Sequence, residues 1–263
     1  MAAASPAPVR NRPDYGLDAA VFYRRLLPIG CGLWVIFGLL QLLPQPVLHR
    51  TPMLAVLGIL GWTGGYFLVV VAVAFVSSRW GKLRVAQRMA ARLSVPASAR
   101  ILDVGCGRGL AGITVARRLP HSAVTGVDVW SKEDLIGNRA EVALANATAA
   151  GVAGRFSART ADARQLPFPD GAFDAVVSMT VLHNIHGAGE REKALAEIAR
   201  VLRPGGQAAI FDIRHTAAYA RFFRQQGWPV RRSFLFPLWL LPGRYLLADK
   251  PAQAGPLGGA SAG

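Results

Sequence analysis

Two apolar runs open the chain. Leu26 to Leu43 is eighteen residues without a formal charge, Met53 to Val76 is twenty-four, and Arg50 is the only charged residue between Leu26 and Val76. Both reach the length a helix needs to cross the hydrocarbon core of a bilayer, and both are predicted as transmembrane helices. The first carries Pro28 near its start and Gln41 near its end, whereas the second is long enough to cross with tilt. Lys82 to Leu93 then reads as an amphipathic linker helix. From residue 98 onward, short apolar runs alternate with longer segments of helical period, which predicts a parallel sheet covered by helices on both faces, an α/β domain. The predicted strands are Arg100–Val104, Ala123–Asp128, Phe156–Thr160, Phe173–Met179, Gln207–Asp212, Val230–Phe236 and Arg244–Lys250. The helices between them fall at Gly109–Leu119, Arg139–Ala150, Glu190–Leu202 and Ala217–Gly227.

The domain organisation follows: a cytoplasmic segment 1–25, two spans in 26–77, a linker helix in 78–97, the α/β domain in 98–250, and a Gly/Ala/Pro/Ser-rich tail 251–263 expected to be disordered. The competing readings of the apolar runs are a buried hairpin of a soluble protein and a cleaved signal peptide. The second is disfavoured because a longer span follows with no small-residue cleavage site between the two. Arg10, Arg12, Arg24 and Arg25 precede the first span, Arg79, Lys82, Arg84 and Arg88 follow the second, and only Arg50 lies between them. The positive-inside rule then places both termini and the domain on the cytoplasmic side of a bacterial inner membrane.

Composition narrows the function classes. Of 263 residues, 52% are hydrophobic and two are cysteine, which excludes intrinsic disorder and a disulfide scaffold. Residues from Ser77 onward hold 25 Lys+Arg against 13 Asp+Glu. That balance suits an anionic leaflet, nucleic acid or a solvated Arg-rich surface. No nucleic-acid motif or aromatic-basic ladder accompanies it, so the leaflet is the simpler partner.

The candidate chemistry sits at strand ends. The first strand runs through Leu102-Asp103-Val104-Gly105-Cys106-Gly107-Arg108-Gly109 straight into a helix, a glycine-rich turn where ligands of open α/β sheets bind. The spacing is Gly-x-Gly-x-Gly, with Leu110 where the dinucleotide fingerprint wants its third glycine, so a nicotinamide or flavin site is disfavoured. Asp128 ends the second strand, 23 residues after Gly105, where a carboxylate can accept both hydroxyls of a ribose. Asp162 follows the third strand and can accept from an adenine amine. Taken singly, each is as well explained by a turn or a helix cap; in this order they describe a nucleoside pocket.

These residues resemble the class I S-adenosylmethionine-dependent methyltransferases. Leu102 to Gly109 is similar to their first motif, Gly126-Val127-Asp128 to the second, Ala161-Asp162-Ala163 to the third, Phe173 to Ser178 to the fourth, and Val201-Leu202-Arg203-Pro204-Gly205-Gly206 to the turn before the fifth strand. The resemblance covers residues 85 to 250 and is nearest to quinone-biosynthesis and small-molecule methyltransferases. It implies a Rossmann-like sheet of seven strands with the last antiparallel. It also implies S-adenosyl-L-methionine as cofactor, its methionine part on Asp103 and the turn of Gly105, Cys106, Gly107 and Gly109. The ribose would lie on Asp128, the purine against Val129, and the adenine edge on Asp162 and the Ala163 backbone, with Ser178 at the end of the fourth motif facing the same site. Cys106 is then a loop residue and Cys31 a membrane one, neither a nucleophile nor half of a disulfide. The hairpin together with Trp130 to Leu135 and Asp212 to Thr216 is similar to bacterial membrane-attached methyltransferase-domain proteins.

Methyl transfer needs an acceptor held in line and, for some acceptors, a base. His183 and His186 follow the fourth strand and His215 follows the fifth. These three are the candidate catalytic residues, each with a structural or lid role as the alternative, and Asn184 is placed to orient the acceptor. His49 and His121 read as solvent residues, and five scattered histidines supply no metal-ligand spacing. Trp130 to Asp134 is expected as a loop over the cofactor edge, with Lys132, Glu133 and Asp134 equally suited to capping the next helix. The apolar run Phe234 to Leu241 either meets the membrane interface, walls a lipophilic pocket or belongs to the core. The expected function is a membrane-anchored methyltransferase for a small hydrophobic acceptor such as a quinone, isoprenoid or lipid. The alternative is a membrane scaffold or sensor that binds the cofactor without turnover.

Overall fold

The computed structural model describes residues 12–16, 20–43, 51–131, 137–233 and 242–252. The expectations for Lys132 to Asp134, for the run Phe234 to Leu241 and for most of the tail lie outside them.

Two helices come first, α1 (Ala20–Leu40) and α2 (Thr51–Val76), packed side by side. Glycine lets them approach. A Cβ on Gly64 would come within 2.4 Å of Trp34 Cδ1, and one on Gly30 within 3.2 Å of Leu68 Cδ2. The chain does not stop at Val76: a π-helical turn over Ser77–Gly81 carries it into α3 (Lys82–Arg92), so Pro52–Arg92 is one continuous helix of 41 residues. Among the described residues it is the single helix long and apolar enough to cross a membrane. The first of the two expected spans is not shown by that measure. Helix α1 begins at Ala20 rather than Leu26 and so includes Arg24 and Arg25. Among the described residues the exposed large apolar side chains all lie between Leu27 and Trp80, save Val129 and Leu144.

Helix α3 ties this part to the domain. Val85, Ala86, Met89 and Ala90 are buried at 1% exposure or less, and Val85, Met89 and Ala90 join Ala111 and Val115 in the core. The Tyr245 hydroxyl donates to Val85 O at 3.2 Å.

The domain is a seven-stranded sheet of β1 (Arg100–Val104), β2 (Ala123–Asp128), β3 (Phe156–Thr160), β4 (Phe173–Met179), β5 (Leu202–Asp212), β6 (Val230–Arg232) and β7 (Arg244–Asp249), in the order β3-β2-β1-β4-β5-β7-β6. The pairs from β3 to β5 are parallel, and β7 runs antiparallel to both its neighbours. The central strands are apolar on both faces, as Ile101-Leu102, Val176-Val177 and Ala208 to Phe211 show, because helices cover both. On one face α3, α4 (Leu110–Arg118) and α5 (Ala140–Ala149) close a cluster with Phe156 and Phe211; on the other α6 (Ala188–Val201) and α7 (Thr216–Gln225) close one with Leu182 and Trp228. Strand β5 starts five residues earlier than its sequence suggests. Leu202 pairs with Phe173 ahead of a bulge, and the Pro204-Gly205-Gly206 stretch is tied to the far end of β7 by Gly205 N–H to Lys250 O (3.0 Å) and Lys250 N–H to Gly206 O (2.8 Å). The strand order reverses between β1 and β4, which opens the crevice at their carboxyl ends.

Candidate active site

Past β1 the backbone turns through three glycines of positive φ, +69° at Gly105, +53° at Gly107 and +85° at Gly109. Gly105 and Cys106 N–H both donate to Val127 O, at 2.8 and 3.0 Å, and pin the turn to β2. A Cβ on Gly105 would stand 2.2 Å from Val181 Cγ1. The loop after β4 therefore lies directly on this turn.

Asp103 is 1% exposed beneath the turn. Its Oδ2 accepts from Gly112 N–H at 2.7 Å, one of the donors that the first turn of α4 leaves without a helical partner. Gly112 permits this approach, since a Cβ there would meet Asp103 Oδ2 at 2.9 Å. Burial raises the Asp103 carboxyl to about 7; the Gly112 bond lowers it and the Asp128 charge adds to the rise. Its Oδ1 is buried and accepts no hydrogen bond among the described residues. Burial, then the charges of Asp103 and Asp128, also hold the Cys106 thiol well above its ordinary range, so it stays protonated and is no nucleophile.

Asp128 is fixed by three donors: Gly107 N–H on Oδ2 at 2.8 Å, and Trp130 N–H (2.6 Å) and Asn138 Nδ2 (3.2 Å) on Oδ1. Val129 beside it is 59% exposed, an apolar side chain free to lie against a ring. Trp130 has φ +60° and donates from Nε1 to Thr160 Oγ1 at 2.8 Å. Ser178 is 1% exposed with an unsatisfied Oγ.

Asp162, after β3, is held by an ion pair. Arg164 clasps its carboxylate, with Nε on both oxygens (3.0 and 3.1 Å) and a terminal nitrogen at 2.6 Å, and continues to Glu190 Oε2 at 2.9 Å. The guanidinium lowers the Asp162 carboxyl below its ordinary range. Ala163 is half-buried next to it and packs on the α6–α7 side of the core.

The three histidines part company. His183 Nδ1 lies 2.5 Å from Asp212 Oδ1, with 14% of the histidine side chain and none of the aspartate exposed. Asp212 also accepts from Ile213 N–H at 2.7 Å, His183 N–H at 3.1 Å and the Tyr219 hydroxyl at 3.3 Å. Burial first, and the Asp212 charge next, push the Tyr219 phenol up, so it remains a donor. His186 is exposed, with Nδ1 2.9 Å from Asn184 O. His215 is exposed at φ +59°, and its carbonyl accepts from Ala218 and Tyr219 N–H at the start of α7, the position of a cap. Sequence reasoning did not mark Asp212 as a partner of His183 or Tyr219 as a partner of Asp212. Among the described residues no cluster of His, Cys, Asp and Glu could hold a metal.

An adenosyl sulfonium fits what is present: a turn without side chains, a buried acceptor at Asp103 Oδ1, a carboxylate after β2 and an exposed apolar residue beside it. Residues 102–210 match the family described as methyltransferase domain. The 27-O-demethylrifamycin SV methyltransferase of Amycolatopsis mediterranei (strain S699) is 36% identical over 129 residues, 49% of this chain and 44% of that protein. The ubiquinone/menaquinone biosynthesis C-methyltransferase of Geobacter sulfurreducens is 37% identical over 116 residues, 43% of this chain and 41% of that protein. The match thus spans less than half the length of either relative. The crystal structure of the [4+2]-cyclase SpnF shares the fold, with a TM-score of 0.53 at 23% identity over 65% of this chain and 82% of that one. Over residues 102–210 the chain is thus similar to a methyltransferase domain, and that likeness together with the site supports S-adenosylmethionine as its cofactor.

Proposed function

We propose that the chain is a membrane-attached methyltransferase that acts on a small lipophilic acceptor, with His183 as general base. The observation that carries the reading is the buried His183–Asp212 pair on the loop that lies against the cofactor turn. A carboxylate can only accept, so His183 Nδ1 holds the proton of that bond, and in the neutral imidazole the lone pair is then on Nε2. Nε2 takes the proton that the acceptor gives up, and Asp212 steadies the imidazolium that results. Asp103 and the Gly105 to Gly109 turn hold the methionine part and Asp128 the ribose. When bound, S-adenosylmethionine supplies a methyl group on a sulfonium that carries its own leaving group. His186 and His215 stand aside from the proton transfer.

The membrane part rests on the exposed apolar side chains between Leu27 and Trp80. Left in water that surface is unfavourable by about 25 cal/mol for each Å², and acyl chains cover it at no such cost. Helices α1 and α2 cross the bilayer as a pair, and the basic residues at both flanks favour the domain and both termini on the cytoplasmic side of a bacterial inner membrane. Attachment of the domain through α3 keeps it within reach of membrane-dissolved acceptors. The quinone-biosynthesis name of one relative is in keeping with such an acceptor.

The test is transfer of labelled methyl from S-adenosylmethionine into a lipid extract by the full chain in detergent. Label in the organic phase that disappears in His183→Ala supports the reading. Cofactor binding without any transfer makes the chain a cofactor-binding scaffold instead.

A further inference from the structure

Asn138 stands ten residues after Asp128, just ahead of α5, outside every motif marked in the sequence. It is 4% exposed. Its Nδ2 donates to Asp128 Oδ1 at 3.2 Å and to Ser131 O at 3.4 Å. Both partners are acceptors only, which settles which way the amide is turned. The remaining atom, Asn138 Oδ1, is buried and receives no hydrogen bond among the described residues. A buried acceptor in that condition is a place for a donor that the described residues do not supply.

The hydrogen bonds at Asp128 lead to the same conclusion. A carboxylate offers about four lone-pair positions. Trp130 N–H and Asn138 Nδ2 occupy those of Oδ1, and Gly107 N–H occupies one of Oδ2. One position is left. A ribose presents two neighbouring hydroxyls, and each donates.

We propose that Asn138 is a second ribose-binding residue: Asp128 Oδ2 accepts one hydroxyl and Asn138 Oδ1 the other. The assignment rests on the reading of this domain as an S-adenosylmethionine site. Asn138 then has two parts, Nδ2 to orient the carboxylate and Oδ1 to receive the sugar, and selectivity for an intact diol is divided between two side chains.

The experiment is calorimetric titration of the full chain in detergent with S-adenosylhomocysteine and with its 2′-deoxy and 3′-deoxy analogues, for the wild type and Asn138→Ala. Wild type should bind each deoxy analogue about tenfold more weakly than the parent, the worth of one hydrogen bond. Asn138→Ala should bind the parent about tenfold more weakly and one of the two analogues no worse than the parent. A variant that still discriminates against both analogues shows that Asn138 only orients Asp128 and overturns the assignment. The wild type tests it alone should the variant fail to fold, since an analogue that binds as tightly as the parent leaves Oδ1 without a hydroxyl. A wild type that binds none of the three ligands overturns the cofactor reading itself, a result distinct from unchanged discrimination.

Discussion

His183 and Asp212 are 29 residues apart in sequence and 2.5 Å apart in the structure. On the function proposed above, the bond orients the imidazole from behind and the two residues act as one proton-transfer unit. His183→Ala and Asp212→Asn should each lower kcat by about 10²–10⁴-fold, the usual contribution of a general base. Affinity for S-adenosylhomocysteine should remain within about twofold in His183→Ala, because the base faces the acceptor; that limit rests on the same separation of roles. Steady-state kinetics beside a binding titration separate the two. A His183→Ala variant with wild-type kcat would remove the base.

Asp103 gives the stability a pH dependence. Its carboxyl is raised to about 7 in the folded chain from an ordinary 3.8. Between those values the folded state keeps a proton that the unfolded state has released. This group's contribution is therefore complete below about pH 4 and is lost as the pH rises through 7. Unfolding temperature measured from pH 5 to 8 should fall more steeply in the wild type than in Asp103→Asn. Equal slopes would mean that the carboxyl is not raised.

Gly105 is held by two constraints, the positive φ and the nearness of Val181. Gly105→Ala should lose about 1–2 kcal/mol to backbone strain and about 1–3 kcal/mol to overpacking. Adding Val181→Ala removes the two methyl groups, at 2.2 and 2.4 Å, but keeps Val181 Cβ at 2.7 Å, so it relieves part of the second and leaves the first. In thermal unfolding the double variant should lie between Gly105→Ala and wild type; a double variant no more stable than the single one would contradict the contact.

A short strap before α1 reaches the cofactor turn. Asn146 of α5 donates from Nδ2 to Asp14 O and to Arg108 O, both at 2.9 Å, and accepts from Asp14 N–H at 2.8 Å, while Arg108 meets Asp14 Oδ2 at 3.2 Å. Lys82 Nζ donates to Tyr15 O at 2.9 Å and Gly16 O at 2.6 Å. Asn146→Ala removes three bonds at one buried side chain and should cost about 2–4 kcal/mol, the sum expected when buried partners lose their bonds. It should also open the strap to proteolysis near Tyr15. Unchanged cleavage kinetics would separate the strap from the domain.

The sheet, the glycine turn and the positions of Asp103, Asp128 and His183 were legible because each is local: a strand-length apolar run, then the residues that must follow it. What was not legible depends on contacts between distant residues. Asp212 reads as an ordinary strand end until β4 and β5 pair and bring it under His183. The strap joins residues 132 apart. Asp162 stands where its motif places it, and Arg164 two residues on clasps its carboxylate, an ion pair that spacing does not reveal. The start of β5 was missed because Pro204 and two glycines read as a turn, although pairing with Phe173 and bonds to Lys250 keep that stretch in the sheet.

The central claim is an adenosyl-binding site built on the turn after β1 and the carboxylate after β2. Calorimetric titration of the full chain with S-adenosylhomocysteine, wild type against Asp128→Ala, tests it most directly. Saturable binding by the wild type and a loss of about 10²-fold in the variant is expected, as charge-assisted hydrogen bonds to a ribose and to Gly107 disappear together. Equal affinity in the two proteins would contradict it.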